Sequence, residues 1–418
     1  MKHIKRYKTI EDYKSQRSEM PYPSVSQIVE NESIKYKELC YIETQMEIME
    51  QYKTQRFNNI DLSLILYMSV DGVKVEPTND YFCYESRIYN VNYVLKKLDI
   101  PENAFQSTYL YSIDLPDNLE RIRKNSFATC QRLKNITIPE SVIEIEENAF
   151  NGSYNIKEIT IPANVKKIGN GAFNDIITLE LIKFKGQYAP EIDGEIFSRD
   201  GDDVTNKVVI TPYHVSYDNV VNELLPNGWI NSFSEKLDTI IAYALLEEPT
   251  RITLFNSDCS SSVHSIIIDG NEYAGVGYTN MSEILDVGIH KIIIRLEDAT
   301  SIMTPKLFYG CEHFNHVVLP NQAIGEGCFS YCTNLKSIAL TNSTYFGMSN
   351  IQPFFQCTNL KTMLITSKES VVFSSYTFNA SDNITDITLI HPIGHDYSYV
   401  QNLSSYINWT FIEKDLLS

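Results

Sequence analysis

Only a few residues stand at spacings that could support chemistry, and the first group has the composition of a zinc site. Cys311, Glu312 and His313 are followed closely by His316, and thiolate and imidazole groups are ligands that zinc prefers. A structural zinc site needs four ligands, however, and no second pair is close in the sequence. Cys311 also falls on the repeat position described below. We therefore interpret Cys311 as a packing residue and predict no metal site.

Two further groups have suitable residue types without suitable spacing. His391 and His395 are four residues apart but flank Pro392, so they do not share a helix face. Residues 200–206 contain three aspartates and an asparagine but lack the pattern of a calcium-binding loop, and an acidic surface turn is the better interpretation. The chain also holds no phosphate-binding glycine loop, zinc-protease motif or nucleophile elbow. We predict no catalytic residue, no cofactor and no enzymatic activity.

The composition argues against nucleic acid as a partner. The chain has 35 Lys and Arg against 53 Asp and Glu, a formal net charge of −18, whereas nucleic-acid binding depends on clustered cations. Hydrophobic residues make up 43% of the chain, enough for a packed core. No apolar run reaches the roughly 20 residues of a membrane span, so we expect no membrane insertion. The basic residues at the start precede no apolar stretch and do not predict a secretory signal.

A repeat with a constant step of 23 residues dominates the first half of the chain. Proline, isoleucine and phenylalanine each recur at this same step, as Pro116, Pro139 and Pro162, as Ile122, Ile145 and Ile168, and as Phe127, Phe150 and Phe173. Each proline follows an Ile-x-Ile or Ile-x-Leu segment, which has the spacing of a strand and ends at the proline. Such units bury a continuous core only when stacked. The sequence therefore predicts a solenoid.

A second array follows with less constant spacing. Its phenylalanines recur at unequal steps, as Phe308, Phe329, Phe354 and Phe378. Aliphatic residues keep the same offset from each of them, as Val317, Ile338, Met363 and Ile387. Leu340-Thr341 and Ile365-Thr366 stand where the first array has Ile-Pro. We expect the coils of the second array to be less regular for that reason.

Each array ends in the same way. Proline, tyrosine and tryptophan recur with identical spacing, as Pro212, Tyr217 and Trp229 and again as Pro392, Tyr397 and Trp409. The stretch from the first phenylalanine to the tryptophan is one coil longer in the first copy, which starts at Phe105, than in the second, which starts at Phe308. Terminal repeats need a cap, so we predict that these residues close the two arrays. An aromatic platform for a ligand is the alternative interpretation of the tryptophans.

The combined pattern resembles the BspA-type leucine-rich repeats. The residues that carry it are Phe127, Cys130, Leu133, Ile136, Ile138, Pro139 and Val142 in the first array and Phe329, Cys332, Leu335 and Ile338 in the second. The likeness covers about residues 98–232 and 300–412. It implies a β-rich solenoid that serves as a binding scaffold, as in bacterial surface adhesins, protozoan surface proteins and gut phages.

The cysteines fit the same repeat. Cys130, Cys311, Cys332 and Cys357 share one position of the coil, where this family also favours cysteine. A buried thiol packs like a small apolar side chain, and we predict that these cysteines are reduced. A bridge between Cys311 and Cys332 in an oxidising compartment is the alternative.

A shorter β-like stretch precedes each array. Residues 64–72 resemble residues 265–270, and both end in Asp-Gly, which predicts a hairpin turn. Residues 290–296 then form a returning strand. We predict that residues 58–97 and 250–298 are small β-rich units, which either cap the entering end of each solenoid or act as independent spacers.

The N-terminal region has a different character. Residues 30–57 are rich in Glu, Lys and Gln with apolar residues at Ile42, Met46 and Met49, a spacing that predicts a helix. The prolines near residue 22 favour extended chain. The region resembles N-terminal segments of virion and tail-associated proteins from phages of gut Bacteroidales, and it predicts either a mobile tail or a docking arm. The docking residues are Tyr13, Pro21, Tyr22, Pro23, Ser24, Val25, Ser26 and Tyr36.

These observations give one fold class and five segments. We predict two tandem leucine-rich repeat arrays with caps, small β units before each, and an N-terminal helical or extended arm. The segments are an anchor arm (1–57), a small β unit (58–97), array 1 with its cap (98–235), a connecting β unit (236–298) and array 2 with its cap (299–418).

The predicted function is noncovalent binding. The first hypothesis is a bacteriophage virion protein, tail- or head-associated and assembled in the host cytoplasm. Its arm would contact other virion proteins, and its solenoid would contact a host-surface protein or glycan. The alternatives are a surface or secreted adhesin of bacteria or protozoa and an intracellular protein-binding scaffold. The 27 tyrosines suit recognition surfaces, and self-association is left open.

Overall fold

The computed structural model describes most of the chain from residue 39 onward. The described residues are 39–197, 207–212, 216–233, 239–256, 263–274, 284–296, 303, 305–320, 324–341, 352–367, 371–373, 377–378, 384–403 and 406–416. The chain divides into two compact units, here called unit 1 (residues 1–201 and 215–223) and unit 2 (residues 202–214 and 224–418). Within the described ranges, no helix has the length and apolar character of a membrane span.

Unit 1 consists almost entirely of strands. They are β1 (Cys40–Glu47), β2 (Lys53–Arg56), β3 (Ile65–Val70), β4 (Val73–Val75), β5 (Asp80–Cys83), β6 (Ile88–Leu95), β7 (Asp99–Ile100), β8 (Leu110–Asp114), β9 (Arg121–Ile122), β10 (Glu144–Ile145), β11 (Glu158–Ile161), β12 (Lys167–Ile168), β13 (Leu181–Phe184) and β14 (Glu191–Ile192). A 3-10 turn at Leu62–Leu64 and a helix α1 (Asp218–Leu224) complete the described elements that begin in this unit.

Strand β1 replaces a predicted helix. It lies between β6 and β8 in a sheet of order β4-β3-β6-β1-β8 and pairs antiparallel with both neighbours. Ile42 and Met46 are buried, whereas Met49 is exposed. Residues four apart share one face of a strand as well as of a helix, so the apolar spacing did not distinguish the two. The helix predicted over residues 30–57 is therefore wrong for residues 40–47.

The coils of the first array follow the sequence repeat. Five short strands pair in parallel in the order β14-β12-β10-β9-β7, and β11 pairs in parallel with β13 on another side of the coils. The buried isoleucines Ile122, Ile145 and Ile168 lie opposite one another in register. The constant step of the sequence repeat thus corresponds to one turn of a solenoid, as the sequence predicted.

The phenylalanines form a continuous stack inside the coils. Phe105, Phe127, Phe150, Phe173 and Phe197 lie with ring centroids 5.7, 5.3, 5.6 and 5.8 Å apart, each ring within 22° of parallel to the next. All five are buried. Offset stacking at these distances adds to the free energy gained by burial.

The turns around the first four of these phenylalanines, Phe105, Phe127, Phe150 and Phe173, share one backbone conformation. The residue two positions before and the residue two positions after take a positive φ, as at Asn125 and Thr129 on either side of Phe127. Glycine and asparagine tolerate this conformation best, and Asn103, Asn148, Gly152 and Gly171 occupy equivalent places. The amide of each phenylalanine then donates to a carbonyl of the next coil, as from Phe127 to Ala149 at 2.8 Å.

Unit 2 is built around one large sheet. Its strands are β15 (Val208–Thr211), β16 (Ile230–Phe233), β17 (Ile240–Leu246), β18 (Val263–Ile268), β19 (Asn271–Ala274), β20 (Gly288–Leu296), β21 (His316–Leu319), β22 (Ser337–Leu340), β23 (Thr362–Ile365), β24 (Asp386–Pro392) and β25 (Asn408–Lys414), with 3-10 turns at Leu225–Asn227 and Ser398–Asn402. The sheet has the order β19-β18-β20-β17-β21-β22-β23-β24-β25. The pairs from β21 to β25 are parallel, and those from β19 to β21 are antiparallel.

The strands of the second array are as long as the longer strands of the coils in the first. Strands β22 and β23 have four residues each, whereas no strand is assigned around Ile136 and Ile138 in the first array. Proline cannot donate to a ladder, but Thr366, which replaces it, donates its amide to Leu340 at 2.9 Å. In the first array, however, β11 also has four residues although Pro162 follows it, so the lower regularity expected of the second array stays a prediction.

A second phenylalanine stack runs through the core of unit 2. Phe308, Phe329, Phe354 and Phe378 have centroids 5.1, 5.9 and 5.8 Å apart and are all buried. They belong to an apolar core that extends from β17 to the Ser398–Asn402 turn. The β-rich residues ahead of this array join the same sheet, because β17 pairs with β21. In unit 1 the corresponding contact is that of β1 with β8.

Candidate binding surfaces

The repeated cysteines are interior residues. The Cys130 thiol donates to the carbonyl of Phe105 at 3.0 Å, and Cys332 and Cys357 donate to Phe308 and Phe329 at 3.0 and 2.9 Å. Each bond joins one coil to the coil before it. Burial raises the pKa of the Cys130 and Cys357 thiols to about 12, so neither supplies the thiolate needed for nucleophilic or metal chemistry. In the described part of the chain the cysteines form no disulfide, and Cys311 is not bridged to Cys332.

The Cys311 and His316 group does not assemble around a metal. Cys311 lies in the core, and both ring nitrogens of His316 are within 2.7 Å of partners, the hydroxyl of Ser337 and the carbonyl of Asn231. Among the described residues, no three histidine, cysteine or acidic side chains come close enough to hold a metal ion. The acidic turn at residues 200–206 lies outside the described residues.

His316 belongs to a buried polar network instead. Its ring stacks on Tyr243 with centroids 5.8 Å apart, and the Tyr243 hydroxyl accepts a hydrogen bond from Asn231 at 2.9 Å. Burial lowers the pKa of His316 to about 4. The imidazole is therefore neutral near pH 7, with its proton on Nε2, where it donates to the Asn231 carbonyl, while Ser337 donates to Nδ1.

The tyrosines predicted as cap residues are buried and hydrogen-bonded. Tyr217 donates its hydroxyl to the carbonyl of Gly186 at 2.9 Å, and the Tyr397 hydroxyl accepts the amide of Val371 at 3.0 Å. Burial raises the pKa of Tyr217 to about 12. Each tyrosine hydroxyl thus forms a hydrogen bond with a backbone group that comes earlier in the chain, a carbonyl for Tyr217 and an amide for Tyr397.

The other predicted cap residues occupy different surroundings. Trp409 packs edge-on against Phe378, the last ring of its stack, at 5.1 Å. The Lys207 ammonium lies 5.6 Å from the centre of the Trp229 ring. Pro212 follows β15, and Pro392 is the last residue of β24. That these residues close the arrays remains a prediction.

The predicted docking segment is not described by the structure. Its residues Tyr13, Pro21, Tyr22, Pro23, Ser24, Val25, Ser26 and Tyr36 lie outside the described residues.

The pair His391 and His395, for which the sequence predicted no metal site, packs on a tyrosine. Each imidazole lies against the ring of Tyr397, with centroid distances of 5.1 and 6.4 Å.

An exposed aromatic strip lies on the second array, and the sequence reasoning missed it. Tyr309, Tyr331 and Phe355 follow the stacked phenylalanines by one or two residues in three consecutive coils, with ring centroids 5.1 and 5.4 Å apart. Tyr309 is 38% and Tyr331 40% exposed, and Phe355 is partly exposed. The recurrence of an aromatic residue just after each buried phenylalanine was the signal available in the sequence.

Tyr331 holds its place in the strip at a conformational cost. Its φ is +65°, at the turn position that Gly152 and Gly310 occupy in other coils. A bulky side chain at a positive φ is rare because its Cβ crowds the backbone. Thr129 and Gln356 take a positive φ at the same turn position in other coils, so this conformation belongs to the repeated turn. The exposed row of three aromatic rings is the feature that the turn does not require.

The comparisons with known proteins agree with the repeat. Residues 98–207 and 294–410 match the family described as the BspA type leucine rich repeat region, in six copies. No curated protein matches the sequence.

Several solved structures are similar to the chain. A leucine-rich repeat protein from Bacteroides ovatus is 17% identical over 76% of this chain and 82% of its own, with a TM-score of 0.25. The pneumococcal vaccine antigen PcpA is 15% identical over 77% and 85%, with a TM-score of 0.24. A leucine rich cell surface protein from Faecalibacterium prausnitzii is 18% identical over 71% and 58%, with a TM-score of 0.18.

Proposed function

The chain belongs to the BspA-type leucine-rich repeat family, and we propose that it is a non-enzymatic scaffold that binds a protein or glycan through the aromatic strip of its second array. The solenoid is a repeat scaffold of the kind used for binding. The buried thiols and the neutral, hydrogen-bonded His316 offer no nucleophile or base at the surface.

The observation that carries this proposal is the position of Tyr331. Its ring is 40% exposed and lies between the rings of Tyr309 and Phe355, at centroid distances of 5.1 and 5.4 Å. Tyrosine presents a flat apolar ring with a polar tip, which suits both protein and sugar ligands. Three such rings in adjacent coils form one ridge.

The test replaces the strip without disturbing its turn. The double variant Tyr309→Ala and Tyr331→Asn removes two rings, and asparagine tolerates the positive φ at position 331. The matched control is Tyr109→Ala with Tyr154→Ala, because both tyrosines are 38% exposed on the first array. The full-length proteins are compared on a glycan array and on a panel of purified bacterial envelope proteins.

We expect the strip variant to bind its ligand at least tenfold more weakly while the control binds normally, because each buried aromatic contact contributes about 1–2 kcal/mol to an interface. Equal binding by both variants, or equal loss, contradicts a role for the strip.

A more specific role rests on the N-terminal segment. Its resemblance to phage virion proteins supports anchoring in a virion and display of the arrays to a host surface, while the frequency of this repeat family among surface proteins supports an adhesin. We propose to separate the two with the full-length variant Tyr13→Ala, Tyr22→Ala, Tyr36→Ala. Selective loss of binding to purified phage structural proteins supports the virion role. Undiminished binding to bacterial envelope, without binding to phage proteins, supports the adhesin.

A further inference from the structure

A cleft in unit 2 has features that the repeat does not require. It has a volume of about 290 Å³ and lies where the Leu225–Asn227 turn and Trp229 approach the beginnings of β22 and β23. Its size suits a single ring rather than an extended polymer, because pockets for drug-sized ligands start at about 300 Å³. It shares no residue with the aromatic strip, so the two surfaces can be tested separately.

One wall of the cleft is apolar and its floor is neutral. Leu225, Pro226, Trp229 and Leu245 line the wall. His316 and Ser337 line the floor. The Ser337 hydroxyl donates a hydrogen bond of 2.7 Å to Nδ1 of His316. The Ser337 oxygen still has a lone pair that can accept a hydrogen bond. The cleft can therefore contact a ring face on one side and hydroxyl groups below it.

The rim of the cleft is cationic. Lys336 and Lys361 precede Ser337 and Thr362, which pair in adjacent strands, so the two lysines stand about 4.8 Å apart along the sheet. Lys207 lies over the Trp229 ring. No carboxylate is among the described residues that line the cleft. Two lysines in the lining of one small cleft contrast with the net charge of −18 of the whole chain.

The other donors and the nearest acid have assigned partners. Asn315 lines the cleft and uses its Oδ1 to accept the amide of Leu245 at 2.6 Å, which leaves its NH2 group as the end of the amide that can donate to a ligand. Asp386 interacts with Lys361 through charge, but its carboxylate already accepts hydrogen bonds from Thr385 and Asn408. The lysines thus face the cleft without an acidic side chain inside it.

We propose that this cleft binds a carboxylated sugar ring, either as a free uronic acid or as the end of an acidic glycan. The carboxylate pairs with Lys336 and Lys361, the C–H face of the ring packs on Pro226 and Leu245, and the hydroxyls bond to Asn315 and Ser337. A nucleic acid does not fit this arrangement, because phosphate-backbone binding needs a long basic track.

The experiment titrates the full-length protein with glucuronic acid and, as a matched neutral ring, with glucose. Binding is followed by saturation-transfer NMR and calorimetry at low and at moderate salt. The test variant is Lys336→Glu with Lys361→Glu. The control variant is Lys134→Glu with Lys157→Glu, which changes the same coil position in the first array. Inorganic phosphate serves as a competitor that has charge but no ring, and an oligosaccharide that ends in glucuronic acid distinguishes the two sources of the ligand.

We expect glucuronic acid to bind, glucose to bind at least tenfold more weakly, and the affinity for glucuronic acid to fall as salt rises. The test variant should lose at least tenfold in affinity, and the control variant should keep the wild-type value. The proposal is overturned if glucuronic acid fails to bind, if glucose or phosphate binds as tightly, or if both lysine variants lose affinity equally.

Discussion

At the scale of single residues, three of the repeated cysteines share a hydrogen bond to the carbonyl of the phenylalanine in the preceding coil, and a hydroxyl can supply this bond as well as a thiol. Ser153 occupies this position in the coil that follows Cys130. Its hydroxyl donates to the carbonyl of Phe127 at 2.6 Å, just as the cysteine thiols donate to the carbonyls of other phenylalanines. In these coils the position holds a small side chain with one donor, whereas in the coil of Phe173 it holds the buried Ile176. Valine has similar bulk but no donor.

This comparison predicts different effects for two substitutions of Cys332. Cys332→Ser should change the free energy of unfolding by no more than about 1 kcal/mol, because the donor to Phe308 is kept. Cys332→Val should cost about 1–3 kcal/mol, because the buried carbonyl loses its partner. Urea unfolding of the two variants measures the difference, and equal losses would contradict the role assigned to the hydrogen bond.

His316 gives the chain a pH dependence of known sign. Its folded-state pKa of about 4 lies below the ordinary value of 6.5, so the unfolded chain binds the proton first as the pH falls. The contribution to stability is complete above pH 6.5 and is lost between pH 6.5 and 4, with a maximum of about 3 kcal/mol. His316→Gln should lack this component. Thermal unfolding of both proteins from pH 7.5 to 4 tests the expectation, with His313→Gln as the control that should follow the wild-type curve.

At the scale of elements, charge determines how neighbouring coils align. Along the short strands of unit 1, the paired residues Asp99, Arg121, Glu144, Lys167 and Glu191 alternate in sign. Arg121 contacts Asp99 and Glu144 at 3.8 and 3.3 Å. Opposite charges in cross-strand pairs stabilise a register, and like charges oppose it.

The substitution Glu144→Lys should therefore destabilise unit 1 more than Glu144→Gln. It places a cation between Arg121 and Lys167, at a cost of about 1 kcal/mol because these side chains are partly exposed. The difference between the two variants should shrink in 1 M salt, where charges are screened. Chemical unfolding at low and high salt measures it, and a difference that does not depend on salt would sink the electrostatic explanation.

Close approach of backbones sets a second limit on the coils. A Cβ atom on Gly169 would lie 2.4 Å from the amide nitrogen of Glu147 in the preceding coil. Gly325 occupies the same position in the second array, four residues before Phe329, where a Cβ would lie 2.1 Å from the carbonyl of Met303. Neither backbone can move without shifting a whole coil.

Gly169→Ala should accordingly cost about 3 kcal/mol or more, because the collision involves backbone atoms. The control is Gly72→Ala, where no atom lies within 4 Å and only the positive φ opposes the change. That strain amounts to about 1–2 kcal/mol. Thermal unfolding compares the two, and a smaller loss at position 169 than at position 72 would show that the coils can separate freely.

The elements also show what the sequence could and could not predict. The phenylalanine stacks were predicted because their spacing is fixed by the length of a coil. Strand β1 was not, because Ile42 and Met46 fit either a helix or a strand, and the choice depends on pairing with β6 and β8, which are distant in sequence. The cleft at Trp229 was also hidden, because it joins residues from five separate segments.

At the scale of the whole molecule, each unit has its own phenylalanine stack. The apolar core of unit 2 includes Phe308, Phe329, Phe354 and Phe378 and no residue of the first stack. In solenoids, stability depends on contacts between neighbouring repeats. A cavity in one stack should therefore loosen that unit more than the other.

We expect Phe329→Ala to increase amide hydrogen exchange across β21 to β23 and to leave β9 to β12 close to wild type. Phe127→Ala should do the reverse, and each substitution should cost about 3–5 kcal/mol. Hydrogen exchange with mass spectrometry measures both. Uniform acceleration of exchange in either variant would mean that the two units unfold as one cooperative body.

The repeated turn around each phenylalanine bears on how such a chain changes over generations. Most of the coils described present the same stacking ring, the same inter-coil amide bond and the same pair of positive-φ residues. Inserting or deleting one complete coil therefore creates no new type of interface and shifts everything beyond it by one strand spacing, about 4.8 Å. Unequal recombination between repeats can then alter the length of an array in whole-number steps, and the one-coil difference between the two arrays here is the expected trace of such an event.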